Sequence, residues 1–509
     1  MSDSTKGIGN QAIYDARSLG TGRMVILGLQ HMFAMFGATV VVPLITGLDV
    51  STTLLFAGLG TLIFHLVSKR KVPAFLGSSF AFLGGYAAIA PLGADGAPSE
   101  LLPYACFGVA CAGLVYLLLA ALFRAYGPRK VMRYFPPVVT GPIIIAIGLN
   151  LAPSALNNIF TVIPAVDKNG QQLYDAGGEL ITRSTSWVAV VAIVIVIICN
   201  IWGKGMVKVL PILLGVLGSY LCAAVTGIID FTPVREAAWI GFPIHYEKTV
   251  FSIFSGGSPD TALLISAIVT IVPISLATMM EHIGDISAIS STVGINFIKD
   301  PGLHRTLTGD GLATALASLF GAPANTTYGE NTGVLSLTKV YDPFVIRIAA
   351  GFAILLSFCP KFAAVIEVMP AATIGGISLV LYGMISAVGI RNLVETKVDF
   401  SKSRNVLITA LILVLSIGIS YCSVGSITIT AGSTVISLSG LAVGSLVGII
   451  LNAILPGKDY NFSEGNAKTG VDLQIQQGET LTEVKHRVKR SQELAREYRD
   501  RQIERDREE

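Results

Sequence analysis

Charge is what this sequence most lacks. Only 14% of its 509 residues are Asp, Glu, Lys or Arg, against about a quarter in soluble globular chains. Hydrophobic residues make up 52% and the mean hydropathy is +0.67, so most of the chain is suited to lipid. A net charge of +3 with no basic, aromatic-laced stripe gives no reason to expect a nucleic-acid partner. Six cysteines (106, 111, 199, 222, 359 and 422) show no CxxC spacing and fall mostly inside apolar runs. They read as small buried hydrophobes, neither a zinc site nor a disulfide framework. There is no GxxxxGK[ST] loop to cradle a nucleotide phosphate, and no histidine is followed by glutamate, so HExxH is absent. An ATP-driven pump and a zinc-dependent intramembrane enzyme are disfavoured, and no cofactor or metal is expected. Residues 1–23 are polar and lack an apolar h-region, so the first span, rather than a cleaved signal peptide, is the expected membrane address.

What the chain has in abundance is spans. Stretches of roughly 17–25 apolar residues cross a bilayer as helices. Candidates fall near 24–45, 51–67, 101–123, 138–155, 186–202, 206–229, 262–290, 308–321, 343–358, 371–389, 404–421 and 438–456, with a kink expected at Pro211. Two further segments are too short or interrupted for ordinary spans: 73–92, around "PAFLGSSFAFLGG", and 322–338, around "APANTTYGENTG". Basic residues cluster in alternate connections, such as Lys69, Arg70 and Lys71, then Arg124, Arg129, Lys130 and Arg133, then Arg391, Lys397, Lys402 and Arg404. The positive-inside rule therefore puts both termini in the cytoplasm, and the alternation stays in phase only if both broken segments cross. The sum is fourteen. Long connections near 156–185 and 230–260 would face outward, and the mixed-charge tail from 457 reads as a solvated segment.

The broken segments stand third and tenth, an odd offset that inverts one half of the chain against the other. Interrupted spans at matching positions of two halves point to a transporter's binding site. Non-helical backbone in a membrane is tolerated only where protein or a polar cavity satisfies it. "GSSFAF" (77–82) and "NTTY" (325–328) suit extended structure, and each precedes an apolar stretch able to begin a half-helix whose N–H groups face a ligand.

Ionisable residues inside spans mark function by default. The eighth span holds Glu281, His282 and Asp285 in "MMEHIGDISAIS". Glu281 and Asp285 lie four apart on one helix face. Two carboxylates in a low-dielectric medium cannot both ionise cheaply, so the pair can take up and release a proton. His282 points about 100° away and reads as a packing residue. Gln30 and His31 lie in the first span, the half-repeat counterpart of the eighth, and His31 is a candidate for proton coupling.

Four motifs carry a family resemblance: "QHMFAMFGATVVVPLITGLD", "FLGSSFAF", "MMEHIGDISA" and "NTTYGENTGVLSLTK". In order and spacing they resemble the nucleobase–ascorbate transporter family, on its bacterial uracil-transporting side, over roughly residues 20–456. The family signature matches Glu330, Asn331, Gly333, Thr338 and Lys339. The resemblance implies an all-α polytopic membrane protein of 14 transmembrane segments, two inverted repeats of seven, with short antiparallel β-strands in segments 3 and 10. It implies a core domain at 24–123 and 261–358, and a gate domain at 124–260 and 359–456. The polar segment 1–23 and the charged tail 457–509 would lie in the cytoplasm. A homodimer in the plasma membrane, its core sliding like an elevator against the gate, would import uracil with a proton. Substrate residues carried over are Glu281, Glu330, Phe80, Gly329, Tyr328, Ala38 and Tyr382. The chemistry is coherent: uracil's two ring N–H groups suit the carboxylates of Glu281 and Glu330, and its carbonyls suit the backbone N–H of Phe80 and Gly329. One position departs. A uracil-transporting member of the family carries histidine where Asp285 stands, and purine-transporting branches commonly carry aspartate, though mostly with glutamine in place of Glu330. Xanthine or urate as substrate, and sodium as coupling ion, remain the alternatives; a channel would want a ring of repeated pore residues not evident here.

Overall fold

The computed structural model describes residues 12–93, 97–164, 174, 181–255, 258–431 and 434–457. In chain order the elements are α1 (Thr21–Thr46), α2 (Val50–Val67), β1 (Leu76–Ser78), α3 (Leu83–Ile89), α4 (Leu102–Met132) and α5 (Pro137–Ile159). Then come β2 (Val162–Pro164), β3 (Thr182–Ser184), α6 (Ser186–Ile201), α7 (Met206–Val209), α8 (Pro211–Val225) and α9 (Thr232–Glu236). The second half comprises α10 (Thr261–Ile271), α11 (Ser275–Val293), α12 (Leu303–Leu319), β4 (Asn325–Thr327), α13 (Gly329–Thr338), α14 (Pro343–Ser357) and α15 (Pro360–Glu367). It closes with α16 (Ala371–Glu395), α17 (Ser403–Tyr421), β5 (Ser426–Ala431), β6 (Thr434–Ser439) and α18 (Gly440–Ile454).

Among the described residues, seven helical stretches are long and apolar enough to cross a membrane, or eight if the bent pair α14–α15 counts as one. The chain is a helical, multi-pass membrane protein. Its outer faces agree: Val190, Val194, Ile197 and Ile201 project from α6, and Leu407, Leu411 and Val414 from α17, all exposed. In water such apolar surfaces would drive association; in lipid they are at rest.

Two helix groups share the interior. In one, α12 packs against α4 and α2, and α14 against α2 and α1. In the other, α5 packs along α16 and α17, α6 lies on α8 and α16, and α18 on α17. Among the described residues the strands form two-stranded antiparallel pairs: β1 with β4, β2 with β3, and β5 with β6.

Several expected boundaries need correction. Pro211 does not kink a span over 206–229; the chain breaks after the four-residue α7, and Pro211 sits in the first turn of α8. That placement follows from proline's missing N–H, which an initial turn does not need. The span expected at 262–290 is also not one uniform helix. It passes through a 3₁₀ turn at Val272–Ile274, where Pro273 has no N–H to continue the α-helical ladder. The span at 343–358 runs on into α15 through an 87° bend. The tail from 458 lies outside the described residues.

Candidate functional site

A two-stranded ribbon among membrane helices has two outer edges, and every N–H and C=O there needs a partner. β1 and β4 pair in the register Leu76↔Thr327, Gly77↔Thr326 and Ser78↔Asn325. The ladder continues at both ends, where Ser79 N–H donates to Ala324 O (2.8 Å) and Tyr328 N–H to Phe75 O (3.0 Å). Side chains serve the outer edges. The Thr61 hydroxyl on α2 accepts from Leu76 N–H (2.9 Å), and Thr314 on α12 donates to Asn325 O (2.7 Å). Tyr328 donates its hydroxyl to Ser78 O (2.8 Å), while the Asn325 side-chain amide donates to Phe56 O on α2 (2.9 Å). Glycine permits the approach. A Cβ on Gly60 would lie 2.2 Å from Asn325 Nδ2, and one on Gly77 would lie 2.5 Å from the Tyr328 ring.

Each strand leads into a short helix. Phe80 follows β1 and precedes α3; Tyr328 follows β4 as the N-cap of α13, with Gly329 first in that helix. The first N–H groups of a helix have no intrahelical acceptor and carry the positive end of its dipole. Opposite the start of α13 lies α11. A Cβ on Gly329 would meet only Asp285 Oδ1, at 3.8 Å, and the Thr327 hydroxyl donates to Asp285 Oδ2 at 3.0 Å. Glu281 stands one turn away on the same helix face, half-exposed like Asp285. Glu330 is the second residue of α13; its side chain lies outside the described residues.

The aromatic wall is set from another element. Tyr382 on α16 meets Phe80 edge to face, with ring centroids 5.9 Å apart and planes at 76°. Both rings are buried, as is Ala38 on α1. Beside Ala38, the Thr39 hydroxyl reaches the Tyr328 hydroxyl at 3.4 Å, so the Tyr328 ring lies back over β1. The structure therefore sets Asp285 against Gly329 where β4 ends, with Glu281 one turn along, and Phe80 against Tyr382 where β1 ends.

His31 belongs to a different contact. It is fully buried on α1, and the Asn331 side-chain amide donates both to its carbonyl oxygen (3.1 Å) and to its Nδ1 (3.2 Å). The first signature residue described in full thus ties α13 to α1. Its later residues end the helix. Thr338 donates its hydroxyl to Val334 O (2.8 Å), and Lys339 takes a left-handed conformation (φ 53°, ψ 23°) as the C-cap. Gly333 is exposed on the helix between them.

Sequence reasoning missed one member of the site. Asp310 on α12 is fully buried, and its Oδ2 lies 3.0 Å from Nδ1 of the equally buried His282. The Thr327 hydroxyl is 3.4 Å from that same Nδ1. Thr327 therefore stands between Asp285 and the His282–Asp310 pair, and His282 is more than a packing residue. The signal was present in "TGDGLATALA", an acid inside an apolar span. A separate cleft of about 250 Å³, bounded by Thr161, Thr185, Asp230 and Pro370, contains none of these residues.

Two spans broken by paired strands, one of them leading into a half-helix that faces an acidic span, are the kind of site that secondary transporters build. The model of a family described as the permease family matches residues 22–425. The uracil permease of Bacillus subtilis (strain 168) is 41% identical over 432 residues, covering 85% of this chain and 92% of that protein. The uracil permease of Escherichia coli (strain K12) is 36% identical over 428 residues, covering 84% and 90%. The chain belongs to this permease family, the nucleobase–ascorbate transporters. Its fold is also similar to the transmembrane domain of a cyanobacterial bicarbonate transporter, BicA, at 15% identity and a TM-score of 0.55 over 87% of this chain and 99% of that one. It is likewise similar to SLC26A9, at 12% identity and a TM-score of 0.59 over 87% of this chain and 66% of that one.

Proposed function

We propose that the protein imports uracil across the plasma membrane by proton symport. The observation that carries this reading is the paired β1–β4 ribbon, with the start of α13 set against the Asp285 carboxylate. Uracil presents two N–H donors and two carbonyl acceptors on a flat ring. Glu281 and Glu330 accept from the ring N–H groups, backbone N–H of Phe80 and Gly329 donate to the carbonyls, and Phe80 and Tyr382 pack the ring. Substrates that leave one of these buried groups unpaired are rejected. Identity with proteins named uracil permeases supports the substrate.

Proton coupling follows from two carboxylates on one face of α11. Binding the coupling proton there leaves the neighbouring acid free to accept from substrate. In this reading the chain crosses fourteen times with both termini cytoplasmic. The antiparallel sense of β1 and β4 supports an inverted relation between segments three and ten. Segments 1–4 and 8–11 form a core that slides against a gate of segments 5–7 and 12–14, in a homodimer.

The test is uptake of labelled uracil, xanthine and urate into proteoliposomes under an imposed pH or sodium gradient. Uracil accumulation driven by the pH gradient and abolished by a protonophore is expected. Accumulation that follows sodium instead overturns proton coupling, and preference for xanthine overturns the pyrimidine assignment. Within the same assay, Glu330→Gln should weaken uracil competition by about tenfold or more, the scale of a charge-assisted hydrogen bond, and shift preference toward purines. Unchanged uracil affinity would remove Glu330 from the site.

A further inference from the structure

A group of arginines stands at the start of α14, outside the proposed substrate-binding residues. Arg347 on α14 and Arg17 near the start of the described chain stand over the Phe344 ring, with guanidinium carbons 5.3 and 5.6 Å from its centroid. The charges of Arg17 and Arg70 both bear on Arg347, and the opposing charge that acts on it is Asp342. That carboxylate is already engaged by backbone: Oδ2 accepts from Ala16 N–H (3.0 Å) and Oδ1 from Phe344 N–H (2.9 Å). Arg347 Nη1 is buried without a hydrogen-bond partner, while Arg17 and Arg70 are exposed. None of the three forms an ion pair among the described residues.

Two like charges and one carboxylate already engaged by backbone act on Arg347, which leaves positive charge in excess there. A buried N–H donor without an acceptor is costly, and like charges held together are costly again. An anion that bridges them removes both penalties. The arginines lie where α1 and α14 begin and α2 ends, and α14 packs against both α1 and α2. Basic pockets between spanning helices on the cytoplasmic side suit lipid head groups. Arginine's planar fork matches phosphate oxygens in pairs. We infer that Arg347, with Arg17 and Arg70 at its rim, binds the phosphate of an anionic phospholipid head group. Phe344 backs both guanidinium groups, and the acyl chains lie along the apolar flank of α14.

The test is native mass spectrometry of the full-length protein with phosphatidylglycerol, phosphatidylcholine or inorganic phosphate. The wild type should retain phosphatidylglycerol over phosphatidylcholine, and retention should fall about fivefold for each arginine removed. R347Q addresses the buried group. The exposed pair R17Q/R70Q carries the test alone if R347Q folds poorly. K130Q/R133Q, at exposed basic residues of the C-terminal end of α4, should leave retention unchanged. Equal retention by R17Q/R70Q and wild type overturns the site. So does equal loss in K130Q/R133Q, which would mean surface charge only. Displacement of the lipid by inorganic phosphate at equal concentration overturns the lipid assignment.

Discussion

Thr327 joins two acidic groups with a single hydroxyl. It donates to Asp285 at 3.0 Å and lies 3.4 Å from His282 Nδ1, which in turn contacts Asp310. A hydrogen bond to a charged acceptor contributes about 1.5–3 kcal/mol, so Thr327→Val should lower uptake at low substrate concentration by about tenfold or more, while Thr327→Ser keeps most of it. Wild-type uptake by the valine variant would show that the hydroxyl does not tune Asp285. Glu281→Gln should behave differently. It removes an acid from the α11 face, so it abolishes accumulation against a gradient even where substrate still binds. The check is accumulation ratio measured beside binding in the same protein; proton-driven accumulation by the glutamine variant contradicts the proposed coupling.

At the scale of elements, the site rests on a strand ribbon that helices α2 and α12 hold by side chains. Gly60 is the tightest point, because its missing Cβ leaves room for the Asn325 amide bonded to Phe56 O. Gly60→Ala should destabilise the protein by about 1–3 kcal/mol, the usual cost of overpacking. Gly84→Ala on α3, with nothing within 4 Å of its Cβ position, should not. Thermal melting in detergent compares them, and equal midpoints would mean that the ribbon yields freely. The ribbon was legible in the sequence because Gly, Ser, Asn and Thr broke two apolar runs at positions where lipid forbids unpaired backbone. Helix ends were less legible. Pro211 reads alike as a kink or a start until the four-residue α7 is seen to precede it. Asp310 was missed because its importance lies in His282, 28 residues away in sequence and 3.0 Å away in space. Likewise, the partnership of His31 with Asn331 bridges α1 and α13, and no local pattern encodes such a contact.

For the whole molecule, the proposed motion makes a demand on the surface between the two helix groups. α1 belongs to the proposed core and α8 to the proposed gate, and they touch where a Cβ on Gly37 would lie 3.5 Å from Ile212 Cβ. Disulfides form at Cβ separations of about 3.5–4.5 Å. The Ile212 methyl that would crowd that Cβ, at 2.6 Å, disappears in Ile212→Cys. The pair Gly37→Cys with Ile212→Cys, with the six native cysteines replaced by alanine, should therefore cross-link on oxidation. If α1 must slide along α8 in each cycle, the oxidised protein stops transporting and a reductant restores uptake. The reduced double variant is the proper control, since Gly37→Cys alone would clash with Ile212. A cross-linked protein that transports at the reduced rate would mean that α1 and α8 move as one body, and the moving surface would then have to lie elsewhere.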